Sequence, residues 1–157
     1  MQRSTPPSRR RSRVLVLESD DILREAIVNA LGTVVDAVGL AEGSELLWEI
    51  DAGGDPAVIT TLQPRDVNGE HLLRMIRERL PAARVIVTSN SGNYDLVRRV
   101  TDLGVCDFLE KPFAIDDLYQ AIEKAQRANA VPLDQRSLAA RRHQQCRTRR
   151  KAVLAYA

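Results

Sequence analysis

One unit recurs along this sequence and constrains the fold more than any other feature. It is a short apolar run rich in β-branched residues, followed by a stretch with helical periodicity, and it occurs five times between residues 14 and 127. Two parallel strands need a long crossover between them, usually a helix, and such crossovers are right-handed. The alternation therefore predicts an α/β fold, with a doubly wound five-stranded parallel sheet and helices on both faces.

Turn and capping residues set the boundaries of the predicted elements. Asp20 or Asp21, Ser44 and Asn68 are candidate N-caps of the first three helices, and Gly104 ends the fourth. The predicted strands cover residues 14–17, 34–38, 57–61, 84–88 and 105–109. The third of these strands is apolar in its first part, as expected for the buried centre of a parallel sheet.

The end of the third predicted strand decides what chemistry the fold can perform. In an open α/β sheet, ligands bind and reactions occur at the carboxyl ends of the strands. This strand ends in Thr61, and the next carboxylate along the chain is Asp66. His71 is expected on an exposed helix surface, and neither it nor His143 has the neighbours of a catalytic base. We therefore expect no catalytic residue and no enzymatic activity.

Charge divides the chain into an acidic body and two basic ends. Residues 14–126 carry ten basic and twenty acidic side chains, whereas the preceding thirteen residues carry five arginines and no acid. This pattern predicts a disordered basic arm at residues 1–12, one domain at 13–129 and a basic, partly helical tail at 130–157. The tail's charge is concentrated in Arg141, Arg142, Arg147, Arg149, Arg150 and Lys151.

The sequence leaves several interpretations of the basic tail open. It is a solvated segment, it folds back on the acidic body or associates head to tail with another copy, or it contacts an acidic partner, an anionic membrane surface or, weakly, the phosphates of a nucleic acid. No helix-turn-helix, ribbon or zinc-finger pattern accompanies the basic residues, so sequence-specific binding is not predicted.

Membrane insertion and cysteine chemistry are not indicated by the sequence. No apolar run is long enough to span a bilayer, and the first apolar run is cut short by Glu18, so we expect a cytoplasmic protein. Cys106 and Cys146 lack the spacing of a zinc site or a disulfide framework. The expected states are a buried thiol and an exposed one.

Three spaced motifs resemble the receiver domain of two-component response regulators, over about residues 13–127. Residues 107–113 resemble the family's fifth-strand signature, with a switch aromatic and a Lys-Pro pair. Residues 85–89 resemble the fourth strand with its switch hydroxyl, and residues 63–69 resemble the segment after the phosphoacceptor. The resemblance implies a flavodoxin-like sheet with a cis Lys-Pro bond, and an acidic pocket that holds Mg²⁺ and receives a phosphoryl group on an aspartate.

The sequence departs from the family at the residues that would carry the phosphoryl chemistry. The acceptor position falls on Thr61, and the paired acids fall on Glu18 and Ser19, with Asp20 beside them. An acyl phosphate forms on a carboxylate held beside a divalent cation, and Mg²⁺ prefers several anionic oxygens. We therefore expect no metal, no cofactor and no acyl phosphate at this degenerate pocket.

Three switch positions of the family are retained. Ser89 stands at the switch hydroxyl, Lys111 at the phosphoryl-binding lysine, and Phe108 at the switch aromatic, where we expect it to be a core residue instead. An unpaired buried ammonium group is costly. We therefore expect Lys111 to pair with Glu18 or Asp20.

The leading hypothesis is a pseudo-receiver in phosphorelay-type signalling, which acts by protein–protein interaction without phosphorylation. By the resemblance, its partner is a sensor kinase or a regulator, or a second copy of the chain. The alternative is a nucleic-acid-associated regulator with basic arms and a receiver-like dimerisation body, and a weaker idea is phosphorylation of Thr61 or Ser89. The expected contact face comprises the fourth helix, fifth strand and fifth helix, with Tyr94, Leu96, Arg98, Asp116, Asp117 and Tyr119.

Overall fold

The computed structural model describes residues 11–127, in which five strands alternate with five helices. The strands are β1 (Arg13–Leu17), β2 (Asp36–Leu40), β3 (Ala57–Thr61), β4 (Val85–Ser89) and β5 (Asp107–Glu110). The helices are α1 (Asp21–Leu31), α2 (Gly43–Asp51), α3 (Gly69–Arg79), α4 (Tyr94–Asp102) and α5 (Ile115–Arg127). None of these helices is long and apolar enough to cross a membrane.

The strands form one parallel sheet in the order β2-β1-β3-β4-β5. The chain winds outward from β1 to β2, then returns past β1 to β3 and continues to the other edge. This reversal makes the sheet doubly wound and places its switch point between β1 and β3, where α/β proteins bind ligands. The predicted five-stranded, flavodoxin-like fold is confirmed.

Each face of the sheet has its own apolar core. Alternate residues of a strand point to opposite faces. Val14 and Val16 of β1 pack under α1 and α5, whereas Leu15 and Leu17 pack under the helices of the other face. The first core also includes Ile27, Leu31, Leu118 and Ile122, and the second includes Leu46, Leu72, Ile76 and Val100.

The second strand begins two residues later than the sequence predicted. Val34 and Val35 donate backbone hydrogen bonds to the Leu31 carbonyl, so they belong to the turn after α1. Pairing with β1 then starts at Asp36, opposite Arg13. The predicted strand at 34–38 was therefore misplaced, because apolar residues in a helix-ending turn cannot be told from a strand by hydrophobicity alone.

Two further strands are shifted by one or two residues from their predicted bounds. The fourth runs to Ser89 instead of Thr88, and the fifth begins at Asp107 instead of Val105. Gly104 adopts a positive φ of 81° in the turn after α4, and the Cys106 amide then donates a hydrogen bond to the Val85 carbonyl just before β5 begins. The shifts do not change which residues stand at the carboxyl ends.

Side chains cap most of the helices as expected, with one exception. Asp20 accepts a hydrogen bond from the Leu23 amide at the start of α1, and Asn68 accepts one from the His71 amide at the start of α3. The predicted cap of α2 was wrong, because Glu42 and not Ser44 precedes this helix. The Ser44 amide is instead bound by a carboxylate from a distant loop, described below.

Candidate functional site

The carboxyl ends of four neighbouring strands bring the predicted site residues to one edge of the sheet. Glu18 follows β1, Thr61 ends β3, Ser89 ends β4 and Lys111 follows β5. Parallel strands in this register end at the same level, since Thr61 pairs with Thr88 across β3 and β4. The sequence positions identified by the three motifs therefore meet in space.

A buried ion pair crosses the site from one end to the other. The Lys111 Nζ atom lies 2.6 Å from Glu18 Oε2, and the two side chains are 13% and 5% exposed. The second carboxylate oxygen of Glu18 accepts a hydrogen bond of 3.0 Å from the Asp20 amide. The expectation that Lys111 pairs with Glu18 or Asp20 is confirmed for Glu18.

A buried hydroxyl occupies the end of the central strand. Thr61 is 1% exposed, and its Oγ1 atom accepts a hydrogen bond of 3.2 Å from the Gln63 amide. No carboxylate extends from this strand end. A nucleophilic hydroxyl needs a positioned general base, and the nearby Glu18 carboxylate is already bound to Lys111.

The side chain of Gln63 reaches across the site to the switch-position hydroxyl. Its Nε2 atom donates a hydrogen bond of 3.1 Å to Ser89 Oγ, which also accepts one of 3.2 Å from the Ser91 amide. Ser89 itself is completely buried. Sequence reasoning missed this role of Gln63, although its place two residues after Thr61 puts it on the loop that borders the site.

The loop between β3 and α3 also binds the loop after β1 and the start of α2. Arg65 Nη2 donates a hydrogen bond of 2.7 Å to the Ser19 carbonyl. The Asp66 carboxylate accepts hydrogen bonds of 2.7 Å and 2.9 Å from the Gly43 and Ser44 amides at the start of α2. Three side chains of this loop thus connect it to three neighbouring segments.

The environment of Asp66 stabilises its charged form. Burial raises the pKa of Asp66, but hydrogen bonds from the Ser44 and Gly43 amides, together with those from the Ser44 side chain and the Asp66 amide, outweigh it. The pKa is therefore held below its ordinary value. A carboxylate at the N-terminus of a helix is favoured for the same reason, because unsatisfied amides carry partial positive charge there.

The donor set at this edge does not match magnesium. Mg²⁺ prefers a near-octahedral set of hard oxygens, with carboxylates supplying the protein's charge. Glu18 is neutralised by Lys111, Asp20 caps α1, and Ser19 offers only a hydroxyl, whose oxygen is buried without a hydrogen-bond partner in residues 11–127. Within that same range, no group of three or more His, Cys, Asp or Glu side chains is placed to hold a metal ion.

The remaining predicted residues take different positions. Phe108 is half-buried and packs against the core on the α2, α3 and α4 face. Tyr94 is exposed at the start of α4, as the expected contact face requires. Tyr119 does not belong to that contact face, because its hydroxyl donates a hydrogen bond to the Ala30 carbonyl and holds the ring against α1. Lys111-Pro112 is a cis peptide bond, as the resemblance implied.

The basic segments lie outside the described residues. These are residues 1–10 and 128–157, with Arg141, Arg142, Arg147, Arg149, Arg150, Lys151, His143 and Cys146. The expected nucleic-acid contact of the tail and the limits of its partly helical segment stay predictions. Within the described part, His71 is exposed, and Cys106 is a partly buried free thiol.

Comparison with known proteins agrees with this geometry. Residues 14–123 match the family described as "Response regulator receiver domain". The DNA-binding transcriptional regulator NtrC of Azospirillum brasilense is 27% identical over 76% of this chain and 25% of its own length. The sensory transduction protein BceR of Bacillus subtilis is 31% identical over 71% of this chain and 48% of its own length. The chain thus matches less than half of each of these relatives.

A solved structure gives the same fold. The CheY-like receiver domain protein of Methanospirillum hungatei JF-1 superposes with a TM-score of 0.69 at 19% identity, and the match covers 73% of this chain and 94% of that one. The family match extends over more than half of the residues and includes all five strand ends described above. The chain therefore belongs to the response regulator receiver domain family.

Proposed function

We propose that this chain is a pseudo-receiver, which serves phosphorelay-type signal transduction by protein–protein interaction that does not depend on its own phosphorylation. It is not an enzyme, and it needs no metal or cofactor. The observation that carries this proposal is the buried threonine at the end of β3, where Thr61 Oγ1 is bound to the Gln63 amide. A mixed anhydride with phosphate requires a carboxylate at that place.

The charges around Thr61 support the same conclusion. Transfer of a phosphoryl group needs positive charge beside the developing anion and a nucleophile that a base or a metal has activated. Lys111 supplies positive charge, but its ammonium group is held by Glu18. Because Glu18 is also the only acid of the former pair, activation of Thr61 would break the buried ion pair.

The hydrogen bonds of Ser89 support a single, fixed state of the switch position. In the resembled family, the switch hydroxyl and the lysine bind phosphoryl oxygens. In this chain, Gln63 binds the Ser89 hydroxyl, and Glu18 binds Lys111. The Ser89 hydroxyl and the Lys111 ammonium group are thus bonded within the protein. A partner therefore meets one conformation of the fold.

The proposed partner is a sensor kinase or a regulator, or a second copy of the chain. The contact surface on α4, β5 and α5 keeps Tyr94, which is 71% exposed, together with the exposed charges of Arg98 and Asp116. Exposed aromatic and arginine side chains are common in the energetically important parts of interfaces. Tyr119 is no longer part of this surface.

The proposal is tested by amide NMR spectra of the full chain with Mg²⁺ and a small-molecule phosphodonor. Wild-type protein should give unchanged amide shifts for Thr61, Ser89 and Lys111. The matched control is the double variant with Ser19→Asp and Thr61→Asp, which restores the carboxylates that the family uses. This variant should respond to Mg²⁺ by shifts at the same strand ends.

Two results would contradict the proposal. The first is a saturable Mg²⁺ response of the wild-type pocket, and the second is a set of new Ser89 and Lys111 resonances that appear only with the phosphodonor. Either result would mean that the remaining groups support the chemistry of an active receiver.

A further inference from the structure

The outer surface of α2 carries a large aromatic side chain in water. Leu46 and Ile50 of this helix are buried in the core, whereas Trp48 on the other side is 68% exposed. Single exposed apolar residues are common in soluble proteins and carry no meaning alone. The charge around Trp48 distinguishes this surface from an ordinary exposed position.

The segment that contains α2 is strongly acidic. Five acids and no Lys or Arg lie between Glu42 and Asp55. Three of these acids pair with arginines of neighbouring elements, in the pairs Arg13–Glu49, Arg79–Asp51 and Arg84–Asp55. Glu42 and Glu45 accept backbone amides in the capping box of α2, and neither pairs with a cation in residues 11–127.

Glu45 and Trp48 lie on one side of the helix. Residues three positions apart on a helix are neighbours on its surface, so the carboxylate is placed one turn before the indole ring. Both side chains are exposed. An arginine approaching this surface can stack its planar guanidinium on the ring and pair with the carboxylate, which is a combination that Arg makes better than Lys.

The same chain supplies a segment of complementary charge. No acid occurs between Gln135 and Ala157, and six basic residues lie between 141 and 151. Five of the six are arginines, namely Arg141, Arg142, Arg147, Arg149 and Arg150. The acidic, aromatic surface of α2 and this segment are therefore matched in charge and in side-chain type.

The connection between the two is long enough for contact within one molecule. Helices of a parallel α/β sheet run back from the carboxyl edge to the amino edge. Both α2 and α5 therefore end at the amino edge. They cover opposite faces of the sheet. Fourteen residue steps separate Arg127 from Arg141, and they span up to about 46 Å when extended. A domain of this size has a diameter of roughly 35 Å.

We propose that residues 141–151 dock on the outer surface of α2 in the same molecule, with a guanidinium stacked on Trp48 and others beside Glu42 and Glu45. The α2 surface is then an internal binding site for the chain's own basic segment. Docking keeps that segment away from other anionic partners until the contact is broken.

The chain's single tryptophan reports on this contact directly. Acrylamide quenching of Trp48 fluorescence is measured on the full chain at low salt, on the full chain at high salt, and on a full-length variant with all six basic residues between 141 and 151 changed to Gln. High salt and the substitutions should each raise the quenching constant about twofold, because both remove the attraction between charges.

Substitutions that neutralise acidic residues test whether the tail binds the α2 surface or responds only to the overall negative charge of the domain. Glu42→Gln with Glu45→Gln keeps the capping oxygens but removes the charge, so it should raise quenching as the tail variant does. The matched control is Glu25→Gln with Glu78→Gln, which removes two exposed acids of α1 and α3 and should leave quenching unchanged. Thermal unfolding midpoints of all variants verify that they fold.

Equal quenching of wild-type protein and the tail variant at low salt would overturn the proposal. Protection that increases with protein concentration would overturn it as well, since it would place the tail of one molecule on the α2 surface of another. Equal effects of the two acidic double variants would contradict the assignment to α2. The proposal is supported if the protection of Trp48 from acrylamide does not depend on protein concentration and is lost when Glu42 and Glu45 are changed to Gln.

Discussion

At both the amino edge and the carboxyl edge of the sheet, side chains donate or accept hydrogen bonds that join neighbouring loops, but the two edges use different side chains. At the amino edge, the Arg77 guanidinium donates hydrogen bonds to the carbonyls of Pro81, Ala83 and Gly104, at 2.9, 3.0 and 2.7 Å. One half-buried side chain thus fixes the turns before β4 and β5. Burial lowers the pKa of Arg77, and the nearby Cys106 opposes this shift.

At the carboxyl edge, the loop after β3 performs the corresponding task with three side chains. Gln63 binds Ser89, Arg65 binds the Ser19 carbonyl, and Asp66 binds the start of α2. These contacts use positions next to those where the resembled family holds a metal and a phosphoryl group. The comparison shows that one guanidinium joins the turns at the amino edge, whereas three side chains of a single loop join the neighbouring segments at the carboxyl edge.

The largest expected effect at the carboxyl edge comes from breaking the buried ion pair. Lys111→Met leaves the buried Glu18 carboxylate without its cation, which should lower the free energy of unfolding by about 3–5 kcal/mol. Denaturant titration measures the loss, and the double variant with Glu18→Gln should recover most of it.

A matched control is Lys124→Met, which breaks the more exposed pair with Asp107. This substitution should cost less than about 1 kcal/mol, because Lys124 is 45% exposed and water screens its charge. Equal losses for Lys111→Met and Lys124→Met would show that the pair at the pocket contributes no more than a surface contact does.

At the amino edge, Arg77→Met should cost about 2–3 kcal/mol, because three carbonyls lose a charged donor. Arg74→Met is the control, because Arg74 is exposed on the same helix. This substitution should change the stability by less than about 0.5 kcal/mol. An effect of Arg77→Met as small as that of Arg74→Met would mean that water replaces the guanidinium at these turns.

The contact between Gln63 and Ser89 should be worth less than either charged contact. Gln63→Ala removes one neutral donor and should cost about 1 kcal/mol, while the amide resonances of Ser89 and Ser91 shift or broaden. Gln120→Ala, on the exposed surface of α5, serves as the control. Unchanged Ser89 and Ser91 resonances would argue against a Gln63 side chain that fixes the switch position.

The smallest expected effect is the dependence of stability on the charge of Asp66. Its folded pKa lies below the ordinary value of 3.8, so its contribution is complete above that value and is lost as the pH falls through the folded pKa. Asp66→Asn should therefore be less stable than wild type by under about 1 kcal/mol at neutral pH. The two proteins should converge in acid, and a difference that persists below pH about 2 would contradict this account.

Much of this structure follows from local patterns in the sequence. The five units, the central strand ending in Thr61 and the caps Asp20 and Asn68 rest on periodicity and on residues that act on their near neighbours. The positions of Glu18, Thr61, Ser89 and Lys111 at the strand ends were identified from the resemblance to the receiver family, whose motifs have fixed spacing. The cost of a buried charge predicted that Lys111 would pair with Glu18 or Asp20, and in the structure the partner is Glu18.

Other features depend on contacts between distant parts of the chain and could not be predicted. Asp66 adds hydrogen bonds to the start of α2 from another loop, and the bonds of Gln63 to Ser89 and of Arg77 to Gly104 join residues more than twenty positions apart. The start of β2 was misplaced because Val34 and Val35 look like strand residues but complete the turn after α1. Such choices are decided by packing and register, which a one-dimensional pattern does not contain.

The central claim is that the carboxyl-edge pocket around Thr61 forms no acyl phosphate. Intact-mass measurement after incubation of the full chain with Mg²⁺ and a small-molecule phosphodonor tests it directly, with the Ser19→Asp and Thr61→Asp double variant as the positive control. The account predicts no added phosphoryl group on the wild-type chain. A wild-type adduct that is released by hydroxylamine, as an acyl phosphate is, would contradict it.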